Sequence, residues 1–332
     1  MRILFLVVSL WLVTSPLWGK IVFYSKRDGN LEIYRMDSDG GNPIRLTFNE
    51  AADRWPTWSP NGQQIAFHSY RDGNAEVYVM DADGSNPRNL TRHPAFDVRP
   101  QWHPDGKRIA FIRGEDIGRI YTIDLNGNNL QLVTEADFIG DLKWSPDGKR
   151  IAFEASIAQE GGEIYVVNAN GRSRWLVSKS VPRSTMRLGG WSPDGKKILY
   201  TVITAPLAHG VAHQYSMVIA TLHRSKREVT DFEPVTLPPG ALLAAHGMGW
   251  GTDGKSILIA VKIGIWNIYR FRFSDRQLIQ LTDNLATDFG AHEWNPRLPV
   301  SPRGQLPKHW GEVKSNSHRH RGIGRGSIPP IP

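Results

Sequence analysis

Tryptophan recurs along this chain ahead of one repeated four-residue turn, and no other feature limits the possible folds as strongly. Trp58, Trp102, Trp144 and Trp191 precede Ser59-Pro60-Asn61-Gly62, His103-Pro104-Asp105-Gly106, Ser145-Pro146-Asp147-Gly148 and Ser192-Pro193-Asp194-Gly195. Trp250 precedes a weaker copy, Gly251-Thr252-Asp253-Gly254, and Trp294 opens a sixth at Asn295-Pro296. Proline presets φ at the first central position, Asp or Asn tolerates the second, and Gly supplies the positive φ that leaves the turn. Each copy is therefore expected to close a tight hairpin.

The segments between the turns repeat as well. A first strand runs into each Trp, and the turn leads into a second, β-rich run such as Ile65-Ala66-Phe67, Ile109-Ala110-Phe111 or Ile151-Ala152-Phe153, with a sixth copy at Ile21-Val22-Phe23. A third strand reads Glu32-Ile33-Tyr34, Glu76-Val77-Tyr78 or Glu163-Ile164-Tyr165, and a fourth closes on Leu46-Thr47, Leu90-Thr91 or Leu281-Thr282. These runs are β-branched and aromatic, and Gly/Asp/Asn clusters separate them. Four strands per unit and six units predict an all-β six-bladed β-propeller with antiparallel blades stacked around an axis. The N-terminus supplies three strands of one blade and the segment ending at Trp294 supplies the fourth, so pairing of the terminal strands should close the ring.

Trp-Ser-Pro-Asp-Gly-Lys-x-Ile-Ala-Phe, then Arg-Asp-Gly-Asn-x-Glu-Ile-Tyr, then Met-Asp-x-Asp-Gly resembles the TolB-type WD40-like (PD40) propeller repeat family. The resemblance covers residues 20–297 and implies the fold. It does not fix a function, because propellers of this kind serve many. The protein that gives the family its name has an α/β domain ahead of its propeller, for which residues 1–19 leave no room.

The flanks read differently from the repeats. Arg2, the apolar run Ile3–Val13 and the break at Ser15–Gly19 resemble a cleavable export signal over residues 1–19, too short to span a bilayer. Residues 298–332, rich in Pro, Gly, Arg and His, are expected to form a disordered basic tail. The formal net charge of +8 sits mostly in these flanks, since seven Lys/Arg and one acid, Glu312, follow Pro296. A nearly neutral body offers no electrostatic case for nucleic acid. With no cysteine, the chain has no disulfide, thiolate metal site, Cys nucleophile or lipoprotein anchor. The expected product is a periplasmic or secreted monomer with no membrane span after cleavage.

Strand direction identifies the face expected to bind. The first strand of each unit descends to its Trp, which marks the bottom, so the loops entering that strand lie on top around the central channel. That reasoning nominates Asp53, Arg54, Asp97, Arg99, Asp141, Arg187, His246 and His292 as a channel-mouth binding set, with Asp288 nearby and the segment Ile203–Gln214 as a long top loop. The bottom turns are short and uniform, and binding usually uses the variable loops.

Several motifs read better as structure. Asp-x-Asp-Gly lacks the distal Glu of a calcium loop and recurs where a turn is needed. Gly190-Trp191-Ser192-Pro193-Asp194 is not a nucleophile elbow, since Asp194 stands where Gly is required. The repeat tryptophans should pack between blades. The leading functional expectation is a non-catalytic scaffold, with no cofactor, that binds a protein or peptide partner of the cell envelope. The alternative is a metal-dependent carbohydrate-active enzyme, polysaccharide lyase-like, with a divalent metal ion held by His209, His213, His246 and His292.

Overall fold

A computed structural model describes residues 19–295 except 115–116, 157–161, 179–180, 206–212, 224–226 and 239–244. The expected signal and tail lie outside the described residues. Every described element is a strand, and the strands form six four-stranded antiparallel sheets.

The first blade joins β1 (Lys20–Ser25), β2 (Glu32–Asp37) and β3 (Ile44–Arg45) to the last strand of the chain, Asp288–Trp294. The second holds β4 (Asp53–Trp58), β5 (Gln64–Ser69), β6 (Glu76–Asp81) and β7 (Arg88–Asn89). The third holds β8 (Asp97–Trp102), β9 (Arg108–Arg113), β10 (Gly118–Asp124) and β11 (Gln131–Ala136). The fourth is β12 (Phe138–Trp144), β13 (Arg150–Ser156), β14 (Glu163–Asn168) and β15 (Trp175–Leu176). The fifth is β16 (Ser184–Trp191), β17 (Lys197–Thr204), β18 (Gln214–Leu222) and β19 (Val229–Val235). The sixth is β20 (Ala245–Trp250), β21 (Ser256–Ile263), β22 (Ile265–Arg272) and β23 (Leu278–Gln280), and the chain ends its strands with β24 (Asp288–Trp294).

Closure follows the predicted pairing. β24 lies antiparallel to β1, with Lys20 opposite Trp294 and Ser25 opposite Asp288. The second strands carry continuous apolar runs because neighbouring blades cover both of their faces. Ile65, Ala66 and Phe67 are fully buried, as are Ile151, Ala152 and Phe153. Each large side chain among them contributes about 1.5–3 kcal/mol of burial free energy. Among the described residues the core is six clusters, each shared by two adjacent blades. One sets Val22, Ile33 and Leu46 against Trp58, Ile65 and Phe67. Another sets Ile21 and Phe23 against Leu258 and Ile268, so apolar packing as well as hydrogen bonding closes the ring.

The fourth strands are shorter than the sequence suggests in several blades. β3 and β7 are two residues each and stop just before Leu46-Thr47 and Leu90-Thr91. Those threonines accept backbone hydrogen bonds instead, Thr47 from Ile33 (2.9 Å) and Thr91 from Val77 (3.0 Å). The turns fall where the repeat puts them, with Gly62, Gly106, Gly148, Gly195 and Gly254 all at positive φ. Asp37–Gly40 is a turn too, with the Gly40 amide donating to the Asp37 carbonyl at 2.9 Å.

Candidate functional site at the channel mouth

All six innermost strands break register near the middle. The shift lies between Arg54 and Thr57 in β4, Val98 and Gln101 in β8, and Ile139 and Asp141 in β12. It recurs between Leu188 and Gly190 in β16 and Gly247 and Gly249 in β20, and where β24 faces Val22 to Tyr24. Such bulges bend a strand and redirect its side chains. Here they reset the part of each strand that lines the channel.

The bulges use unequal chemistry. Gly290 takes φ 66, and a Cβ there would stand 2.5 Å from the Tyr24 ring, so only glycine fits. Trp55 and Arg99 instead hold φ 54 as bulky residues, each followed by proline. Left-handed conformations of bulky residues cost of order 1–3 kcal/mol, and they concentrate at functional sites. The two side chains meet, with the Arg99 guanidinium 3.8 Å from the Trp55 ring centre.

Together these strands frame an opening of about 300 Å³. One wall is aromatic, lined by Trp55, Phe289 and His246 with Tyr24 and Trp266 packed behind them. Trp55 packs on Tyr24 (5.5 Å between centroids) and Phe289 (5.8 Å), Phe289 on Trp266 (5.6 Å), and Trp266 on His246 (5.0 Å). The other wall is charged. The Asp141 carboxylate accepts Lys143 Nζ at 3.3 Å and stands 3.6 Å from Arg99, while Arg187 pairs with Glu154. Glu154 is buried, and desolvation raises its carboxyl pKa against the pull of Arg187. Burial likewise pushes the Tyr24 phenol up to about 12, with Arg99 and Arg54 opposing it.

Of the nominated residues, Arg99, Asp141, Arg187, His246 and His292 line this opening. Arg54 stands beside it, its guanidinium over the Tyr70 ring at 5.5 Å and its Nε buried without a partner. Asp53 and Asp97 are at the predicted height but turn into their blades, as does Asp288. All three are fully buried and paired with an arginine at or just beyond the end of the adjacent strand. Arg113 grips Asp97 with two bonds of 2.7 and 2.6 Å, Arg71 holds Asp53 at 2.9 Å, and Arg27 holds Asp288 at 3.2 Å. Each arginine also covers an aromatic pair, as Arg71 does Phe67 and Tyr78.

The described histidines have different surroundings. His292 accepts the Trp58 amide on Nδ1 at 3.1 Å, joining β24 to β4. His246 lies among Tyr215, Trp266 and Phe289 with its Nδ1 buried and unpartnered. His213 is exposed, and His209 lies outside the described residues together with most of the Ile203–Gln214 loop. Among the described residues no group of three or more His, Cys, Asp or Glu is placed to hold a metal ion. Burial pushes the imidazoles down, His246 to about 4 and His292 to about 3.

Trp55, Phe289, Tyr24, Glu154 and Lys143 were not among the nominated residues. The one signal for them was Trp55 itself, a tryptophan outside the repeat register. Nothing in the repeat pattern points to a cavity at the bottom, where a funnel of about 1110 Å³ is lined by the six repeat tryptophans. Those tryptophans do pack between blades: Trp191 donates to the Lys143 carbonyl (3.1 Å) and Trp250 to the Gly190 carbonyl (3.2 Å). Gln101, Lys143, Met248 and His292 belong to the walls of both cavities and lie where the two adjoin.

The profile of the family described as the TolB beta propeller domain matches residues 13–182. Among solved structures, TolB from Acinetobacter baumannii aligns with a TM-score of 0.68 at 19% identity, over 83% of this chain and 66% of its own. The chain thus spans just under two thirds of that protein's length. An oligogalacturonate lyase from Vibrio parahaemolyticus aligns with a TM-score of 0.53 at 13% identity, over 80% of this chain and 75% of its own. An oligogalacturonate lyase in complex with manganese gives 0.52 at 16% identity, over 78% and 72%. No curated protein matches. At these identities the solved structures share the fold with this chain.

Proposed function

Because the chain belongs to the TolB beta propeller domain family, we propose that it is a non-catalytic scaffold that engages a protein or peptide partner across its top face. The observation that carries this reading is where its exposed apolar side chains lie. Phe48, Phe96, Leu285, Tyr70, Phe138 and Ile263 all sit at the top ends of strands or in top loops, and Leu285 is 98% exposed. The other exposed large apolar residues include Ile44, Leu132, Leu176 and Phe232 on the outermost strands. On the bottom, Leu130 is exposed in the turn between β10 and β11, and among the described residues none lies in the Trp-Ser-Pro-Asp-Gly turns. Apolar groups clustered around a polar opening mark interaction surfaces. The inner strands are rigid, so little ordering entropy is lost when a partner seats on them.

The partner is placed in the cell envelope or outside the cell on the strength of residues 1–19. Among the described residues no helix is long and apolar enough to cross a membrane. No cofactor is part of this reading.

Capture from envelope extract by the immobilised protein tests it. Replacing Phe48 and Leu285 together with serine should reduce recovery of the captured protein at least tenfold with an unchanged melting temperature. Charge reversal of the bottom-turn residues Lys107 and Lys149 should leave recovery intact. Equal recovery by the top-face variant would overturn the proposal.

A further inference from the structure

Charge at the mouth is unbalanced. Among the described residues, Arg99, Lys143 and Arg187 line it and Arg54 stands beside it, against only Asp141 and Glu154. Asp141 is shared by two cations, Lys143 at 3.3 Å and Arg99 at 3.6 Å, while Glu154 engages Arg187. Burial is the main cause that keeps His68, His246 and His292 neutral, and the nearby cations Arg99 and Arg54, Arg187 and Lys143 respectively add to it. An anion entering here meets a positive field already organised by the fold.

Three further features narrow the anion's chemistry. The charged wall faces an aromatic one, and the Arg99–Trp55 stack joins the two. The opening, about 300 Å³, is at the small end for ligand pockets, nearer to one or two residues than to a polymer. Gln101, Lys143, Met248 and His292 line both this opening and the larger cavity, so they mark the junction between the two. An internal segment of a chain would have to double back within so small a space, whereas a chain end would not.

Resting on the top-face binding reading, we infer that the mouth receives the free carboxyl terminus of an extended peptide. The terminal carboxylate lies against Arg99 and Lys143, and the last side chain packs on Trp55 and Phe289. Arginine offers a carboxylate two parallel donors, and such charge-assisted bonds are about twice as strong as neutral ones. The exposed apolar loops around the mouth then meet the body of the partner.

The test is fluorescence anisotropy with a pool of labelled tetrapeptides randomised at the last two positions, once as free acids and once as C-terminal amides. The free acids should bind, selecting aromatic or large apolar last residues, and the amides should bind at least tenfold more weakly. Arg99→Met should weaken the acids about tenfold and leave the amides nearly unaffected. Lys143→Met gives the same reading should the Arg99 variant fail to fold. Equal binding of acids and amides, or binding of neither, would overturn the inference, as would tighter binding of trigalacturonate or inorganic phosphate than of the pool. Capture that depends on Phe48 and Leu285 but not on Arg99 would leave the scaffold reading standing and remove only this one.

Discussion

His68 shows how far a repeat position can depart from its neighbours in role. It comes directly after Ile65-Ala66-Phe67 on β5, is 3% exposed, and its Nδ1 faces the Arg99 amide at 3.4 Å. Burial, with Arg99 and Arg54 adding to it, pushes its pKa down to about 3. Above pH 6.5 the imidazole is neutral in both folded and unfolded chains and contributes nothing to the pH dependence. Below that, the unfolded chain takes up a proton that the folded one refuses, so stability falls with falling pH until about pH 3. The slope is about 1.4 kcal/mol per pH unit for one such group. Urea melts of His68→Asn between about pH 6.5 and 4.5 should therefore show a shallower acid loss than the parent, whatever the variant's stability at neutral pH. Parallel pH dependences would contradict a buried neutral His68. The turn spacing placed Asp53 and Asp97 at the right height, but a strand's side chains alternate between faces, and the bulge resets that alternation. Height followed from the turns, and facing did not.

Strand ends in the first three blades share a device that the sequence contains without explaining. An aspartate opening the innermost strand pairs with the arginine that ends the second strand or lies just beyond it: Asp288–Arg27, Asp53–Arg71 and Asp97–Arg113. In the first two blades the asparagine of the Arg-Asp-Gly-Asn loop ties down the next top loop, Asn30 to the Asn49 and Ala51 carbonyls at 2.8 and 3.0 Å. In the first blade the pair spans the closure and adds a polar clasp to the β1–β24 ladder. Asp97 and Arg113 are both buried, and desolvation raises the Asp97 carboxyl pKa despite the arginine. Asp97→Ala should then cost about 3–5 kcal/mol, because it leaves a buried cation unpaired. Asp97→Leu combined with Arg113→Met should cost clearly less. Urea denaturation of the two variants checks this, and equal losses would show that the pair is not coupled.

Across the whole ring, regularity and chemistry divide. The blades that keep the aspartate clasp are contiguous through the closure, while β12, β16 and β20 begin with Phe138, Ser184 and Ala245. Asp141, Lys143, Glu154 and Arg187 of the charged wall come from the fourth and fifth blades. Six blades, four strands each and the closure were readable because glycine, proline and tryptophan recur where turns and blade packing require them. The mouth was readable only in part, since it is built from departures from the repeat, and a departure carries no periodic signal. Trp55 shows in sequence only as a tryptophan outside the repeat register and Arg99 not at all, and the left-handed backbone of both falls within the register shifts of β4 and β8.

Hydrogen exchange on the protein with its captured partner measures the top-face claim directly. Amides of the top loops 46–53, 91–97 and 283–288 should exchange at least tenfold more slowly in the complex, as should those of residues 54–56 and 99–101 at the mouth. The bottom turns at 59–62, 103–106 and 145–148 should exchange as in the free protein. Protection confined to those bottom turns, with the top loops unchanged, would contradict a partner seated on the top face.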